Sequence, residues 1–131
     1  MLEGSCLCNG IRYQIQGELG PAMVCHCSRC RKANGSAFAV NAPVASDRLQ
    51  IIQGRELIRE YESSPGVFRC FCERCGSPLY SRRSAADQPL RLRLGTLDSP
   101  APIQPAAHIF VASKGNWPPI LDDLPQYPER P

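Results

Sequence analysis

The chain has 131 residues, 43% of them hydrophobic and 21% charged, and a formal net charge of +3. That length fits one domain with a core of its own, and a small, scattered positive charge excludes a surface built for nucleic acid. No apolar run approaches the roughly 20 residues of a membrane helix, and the first residues lack the basic start and apolar stretch of a secretory signal. The expected setting is therefore the cytoplasm, with no membrane partner. In that reducing compartment the eight cysteines are read as thiols rather than as a disulfide framework.

The local patterns along the chain predict strands. Residues 11–16 alternate apolar and polar side chains, the period of a half-buried strand. Residues 28–34 predict a helical segment of about two turns, ended by Gly35. Further strands are predicted over residues 37–44, 49–52, 57–61 and 67–71. Residues 90–94 alternate strictly, with Leu90, Leu92 and Leu94 on one face, and residues 107–112 form the last predicted strand. Gly, Pro, Ser and Asp clusters separate these runs as turns. Residues 117–131 hold five prolines together with Trp117, Ile120, Leu121, Leu124 and Tyr127, and are read as an extended tail packed on the domain. The sum is one all-β domain over residues 1–131, with about eight short strands and irregular loops.

Most of the chemistry lies in the cysteines, which form three groups: Cys6 with Cys8; Cys25, Cys27 and Cys30; and Cys70, Cys72 and Cys75. Spacings of one or two residues let a single turn of backbone present two sulfurs to one zinc ion, which takes four tetrahedral ligands. Gly76 after Cys75 suits a tight turn in which backbone amides approach the thiolates. Buried free thiols are the alternative for any one cysteine, but not for three tight groups. Two divisions are open on spacing alone. One has two four-thiolate sites, Cys6, Cys8, Cys72, Cys75 and Cys25, Cys27, Cys30, Cys70. The other has four, three and one spare. A closed four-ligand site is structural, whereas three protein ligands leave a position for water or substrate.

The order of these segments resembles the glutathione-dependent formaldehyde-activating enzyme family, which includes centromere protein V. The resemblance is carried by Gly4-Ser5-Cys6-Leu7-Cys8-Asn9-Gly10, by Cys25-His26-Cys27-Ser28-Arg29-Cys30, by Phe71-Cys72-Glu73-Arg74-Cys75-Gly76, and by His108 to Lys114 with Trp117. It implies a β-tent fold of short antiparallel strands stapled by zinc. It implies a structural zinc on Cys6, Cys8, Cys72 and Cys75, and a catalytic zinc on Cys25, Cys27 and Cys30 with an open position. Cys70 lies outside the family pattern and is the residue that could close that position. The implied activity is that of a carbon–sulfur lyase acting on a thiol–aldehyde adduct such as S-hydroxymethylglutathione, with glutathione as the small-molecule partner. The alternative is a zinc-stabilised protein-interaction module without catalysis.

Five residues are candidates for contact with that substrate. Arg29, Arg31 and Lys32 share the loop of Cys30 and could meet carboxylates; the bland reading is a solvated basic loop. His108 is either a satisfied sheet histidine or a pocket residue, and Lys114 is placed in the same cleft. His26, between two proposed ligands, is read as turned away from the metal because ligation beside Cys25 is sterically awkward.

Overall fold

The computed structural model describes residues 1–85 and 87–131. Among the described residues ten short strands and one α-helix make up the regular structure, with four short 3-10 turns. In chain order they are β1 (Leu2–Ser5), β2 (Arg12–Ile15), β3 (Ala22–Cys25), α1 (Ser28–Asn34), β4 (Ala39–Val44), β5 (Leu49–Gln53), β6 (Ile58–Ser64), β7 (Val67–Cys72), β8 (Pro78–Arg83), β9 (Leu90–Arg93) and β10 (Pro105–Ile109). They form a three-stranded sheet, β1-β2-β5, and a seven-stranded sheet, β10-β3-β4-β9-β8-β7-β6. The all-β expectation holds, with one departure in pairing. β10 runs parallel to β3, placing His108 beside Val24 and Ile109 beside Cys25, while the other pairs are antiparallel.

The core lies between the two sheets. Ile11, Tyr13 and Ile15 of the small sheet's side pack with Ala42, Val44, Leu79 and Leu92 of the large sheet, all essentially removed from water. Each fully buried aliphatic side chain of this kind contributes about 1.5–3 kcal/mol. Strands have a side-chain period of two, so the residues that alternate with this core set emerge on the far face of the large sheet. That far face carries the site described below.

Three strands escape the patterns on which the others are legible. β1 is four residues with a glycine inside, β3 is buried on both faces at three of four positions and does not alternate, and β8 begins at a proline. The last predicted strand ends early. At Phe110 the backbone turns to φ 55°, and a short 3-10 turn over Val111–Ser113 replaces its second half.

The proline-rich tail lies along β10. Tyr127 N–H donates to His108 O, His108 N–H to Pro125 O, and Val111 N–H to Tyr127 O, at 2.9, 2.9 and 3.0 Å. These bonds satisfy an edge that would otherwise present unpaired backbone groups. Trp117 does not anchor the tail: it is 69% exposed, and Leu121 is 89% exposed. Among the described residues no helix is long and apolar enough to cross a membrane.

Candidate metal centres and the arginine-lined cavity

The first thiol cluster joins two hairpin loops. Cys6 and Cys8 sit in the turn between β1 and β2; Cys72 ends β7 and Cys75 sits in the turn between β7 and β8. Their four sulfurs lie within 4.8 Å of one another. Cys6 Sγ is 3.6 Å from Cys8 Sγ, and Cys8 Sγ is 3.9 Å from Cys72 Sγ. Tetrahedral zinc with bonds of about 2.3 Å sets sulfur–sulfur separations of roughly 3.8 Å, so these residues fit that ion. Backbone amides support the thiolates: Ile11 N–H donates to Cys6 Sγ and Arg74 N–H to Cys72 Sγ, at 3.2 and 3.4 Å. Burial works against ionisation of Cys75, but its contacts with the Ser77 side chain and backbone bring its pKa down to about 5. Gly76 follows at φ 78°, in the left-handed region that a side chain would strain. Because one hairpin belongs to each sheet, an ion here would pin the two sheets together at one end.

The second cluster is built by a strand end and a helix start. Cys25 closes β3, held between Ala39 of β4 and Ile109 of β10. Cys27 is the N-cap of α1, its sulfur accepting from Cys30 N–H at 3.3 Å, and Cys30 lies on the buried side of the first turn. Short polar side chains that accept from the first turn are the usual N-caps, and a thiolate does the same job with a full charge. The three sulfurs lie within 4.8 Å of one another. The neighbouring Cys25 and Cys30 thiols hold Cys27 well below the ordinary thiol range, while Cys27, Cys30 and burial push Cys25 up. The donor set suits a thiophilic ion held from three sides.

Cys70 is not part of this cluster. Its thiol donates to Glu60 Oε2 at 3.4 Å, it is 1% exposed, and burial followed by Glu60 pushes its pKa up to about 12. It belongs to the face of β7 shared with Cys72, whereas Arg69 belongs to the other. The Arg69 guanidinium reaches Cys30 Sγ, with Nη1 at 3.7 Å and Nη2 at 3.8 Å.

The open side of the second cluster faces a cavity of about 420 Å³ on the far face of the large sheet. Strand register explains its lining. Arg69 pairs with Ser81, Ser81 with Arg91, Arg91 with Pro43, and Arg93 with Asn41, so these side chains project together from four neighbouring strands. Arg83 sits beside Val67 on the same face. Arg29 from α1 and Arg130 from the tail complete the wall. Among the described residues six arginines thus line one cavity, and no Asp or Glu does. Among the described residues none of the six forms an ion pair. Arg93 is 5% exposed; Nη1 donates to Asn41 Oδ1 and Arg91 O, and Nε is buried without a partner. Burial lowers the pKa of both Arg91 and Arg93, and the Arg130 and Arg83 charges lower Arg91 further.

Of the five residues expected to touch substrate, Arg29 is on the cavity wall and the other four lie elsewhere. Lys32 is exposed on α1, and Arg31 buries its Nε without a partner outside the cavity wall. Lys114 Nζ donates to Gly115 O and Pro118 O, closing its own loop. His108 is a satisfied sheet histidine: Nδ1 is 2.8 Å from His26 Nε2, and Nε2 is 3.0 Å from both carboxylate oxygens of Asp122. His26 is turned from Cys25 and Cys27 into this buried chain, and burial, then the His108 charge, lowers its pKa. Of the cavity arginines only Arg29 lies in the cysteine motif; the other five come from strands and the tail. The available signal is the Arg-Leu-Arg alternation of β9: once its leucines are given to the core, its arginines share one face.

An all-β domain with two preformed thiol clusters, one closed and one facing a cationic cavity, is the class that fold and site define. The sequence profile of the glutathione-dependent formaldehyde-activating enzyme family matches residues 1–113, and the chain belongs to that family. It is 28% identical over 79 residues to an Aspergillus flavus protein provisionally named a glutathione-dependent formaldehyde-activating enzyme, covering 59% of this chain and 41% of that one. It is 32% identical over 78 residues to an uncharacterized lyase of Schizosaccharomyces pombe, covering 60% and 55%. The chain thus spans about half the length of the curated relatives it matches. Its fold is similar to the crystal structure of a Rhodobacter sphaeroides protein, with a TM-score of 0.63 at 21% identity, over 76% of this chain and 91% of that one.

Proposed function

We propose that the chain is a zinc-dependent carbon–sulfur lyase for thiol–aldehyde adducts of the S-hydroxymethylglutathione kind. Cys6, Cys8, Cys72 and Cys75 would hold a structural zinc, and Cys25, Cys27 and Cys30 a catalytic one. The observation that carries this reading is the three-thiolate cluster opening on a cavity, with Cys70 committed to Glu60 on the opposite face. The cavity volume lies within the range of small-molecule sites, about 300–1,000 Å³. A zinc ion held by Cys25, Cys27 and Cys30 would supply a Lewis acid that favours sulfur as thiolate at the open position.

The chain's own groups supply the rest. Cleavage of the adduct breaks the carbon–sulfur bond with its electron pair going to sulfur. The hydroxyl oxygen forms the second carbon–oxygen bond, its proton leaves to water, and formaldehyde and a thiolate result. Three cysteinate charges beside a forming thiolate would oppose that step. Arg69, in contact with Cys30, offsets them, and the arginines of β8 and β9 hold the carboxylates that anchor the thiol. Family membership and the names of the relatives support the reaction class.

The test is formaldehyde release from S-hydroxymethylglutathione by the zinc-loaded protein, against Cys27→Ser. Release above the spontaneous rate that disappears in a folded Cys27→Ser supports the reading; equal rates contradict it.

A further inference from the structure

The charge of the cavity says more about the thiol than the reaction class does. Glutathione carries two carboxylates and an ammonium. A site shaped for it needs cations for the first and an acceptor, normally a carboxylate, for the second. Here six arginines line the wall and no acidic side chain does. Three cysteinates with one divalent ion leave a single negative charge, and Arg69 already faces it. Arg83, Arg91, Arg93, Arg29 and Arg130 remain in excess. Arg93 holds its charge almost wholly out of water with Nε unpartnered, an arrangement that is costly until an anion arrives.

The arginines are also placed rather than merely present. Arg91 and Arg93 are two positions apart on β9, with Arg83 and Arg69 on the next strands of the same face. Ser81 separates Arg69 from Arg91 across the strands and Arg83 lies diagonal to both, so the backbone positions are roughly 7–10 Å apart, a spread that suits several anionic groups on one small molecule, not one isolated carboxylate.

We propose that this cavity selects thiols bearing at least two carboxylate or phosphate groups with no accompanying ammonium, in preference to glutathione itself. This rests on the reading of the cavity as the thiol-adduct site. It changes the identity of the thiol and leaves the bond broken unchanged.

The experiment is calorimetric titration of the zinc-loaded protein with one scaffold in three charge states. Glutathione, N-acetylglutathione (ammonium removed) and glutathione diethyl ester (carboxylates removed) are compared, each at low and at 0.5 M salt. N-acetylglutathione is expected to bind at least tenfold tighter than glutathione, the ester at least tenfold weaker, and the differences to shrink in salt. Mercaptosuccinate and coenzyme A, each a thiol with at least two such groups and no ammonium, distinguish carboxylate from phosphate as the preferred anion. Arg83→Gln, on the cavity wall away from the thiols, is expected to narrow the gap between N-acetylglutathione and glutathione without lowering zinc content. Glutathione binding as tightly as its N-acetyl form, or tighter, overturns the proposal. Zinc absorption spectra on the same samples separate the two claims. Binding in the expected charge order with an unchanged zinc spectrum upholds charge selection and contradicts the lyase reading. Absence of binding by every thiol overturns both.

Discussion

Arg69 and Cys70 are adjacent in the chain and project from opposite faces of β7. One touches Cys30 across the cavity; the other donates a hydrogen bond from its thiol to Glu60 on the opposite face. A strand's two-residue period makes this unavoidable. A residue beside Arg69 could reach the second thiol cluster only if the register of β7 slipped, and pairing with both β6 and β8 prevents that.

Cys70→Ala is therefore expected to leave zinc content unchanged. Its removal costs a buried thiol and a hydrogen bond, about 1–2 kcal/mol. Metal analysis of the purified variant checks this; loss of one zinc per chain would place Cys70 among the ligands.

Cys72→Ser should behave in the opposite way. Cys72 is wholly buried where the two sheets are joined, and its sulfur faces Cys8. Structural zinc in small peptides is worth about 10–16 kcal/mol, so losing even part of that exceeds the stability of an ordinary domain. The variant is expected to be unfolded or to melt far below the native protein in circular dichroism. An unchanged melting curve would remove the structural role of this cluster.

The His26–His108–Asp122 chain links the strand before the second cluster to the tail. Replacing His108 by Phe strips His26 Nε2 of its buried partner and frees Asp122. The expected loss is about 1–3 kcal/mol, with faster hydrogen exchange at the amides of His108 and Tyr127 than at those of β7. Uniform exchange across both regions would show that the tail does not depend on this contact.

Tyr13 makes the stability pH-dependent on the alkaline side. Its hydroxyl is 2.7 Å from Thr96 Oγ1, and burial pushes its pKa up to about 12, against the 10.0 of a free tyrosine. The phenol ionises in the unfolded chain from pH 10 but stays neutral in the folded one, so its stabilisation is complete below 10 and drains away as pH rises to 12. Two units correspond to about 3 kcal/mol. Melting temperatures between pH 9 and 11.5 are expected to fall less steeply in Tyr13→Phe than in the native protein. A residual slope comes from Tyr80 and Cys70, both also raised to about 12. Equal slopes would contradict the assignment.

The thiol groups are legible in sequence because metal ligation is local: Cys25, Cys27 and Cys30 meet within one strand end and one helical turn, and each half of the other cluster is a single hairpin. The long-range part, which halves come together, follows from sheet pairing and is supplied at sequence level only by the resemblance. The cavity is less legible. Arg31 and Lys32 are near the cysteines in the chain, but α1 turns them away. Arg83, Arg91 and Arg93 are distant in sequence and arrive through cross-strand register. Strands that alternate cleanly were predictable; β3, buried on both faces, carries no such period, although it delivers Cys25.

The central claim is that one thiol cluster closes around its metal while the other keeps a side open. X-ray absorption at the zinc edge of protein loaded with two zinc ions tests it most directly. The account predicts an average of about three and a half sulfurs per zinc without added thiol, rising to about four when an anionic thiol is bound. Four sulfurs per zinc in the thiol-free protein would contradict it.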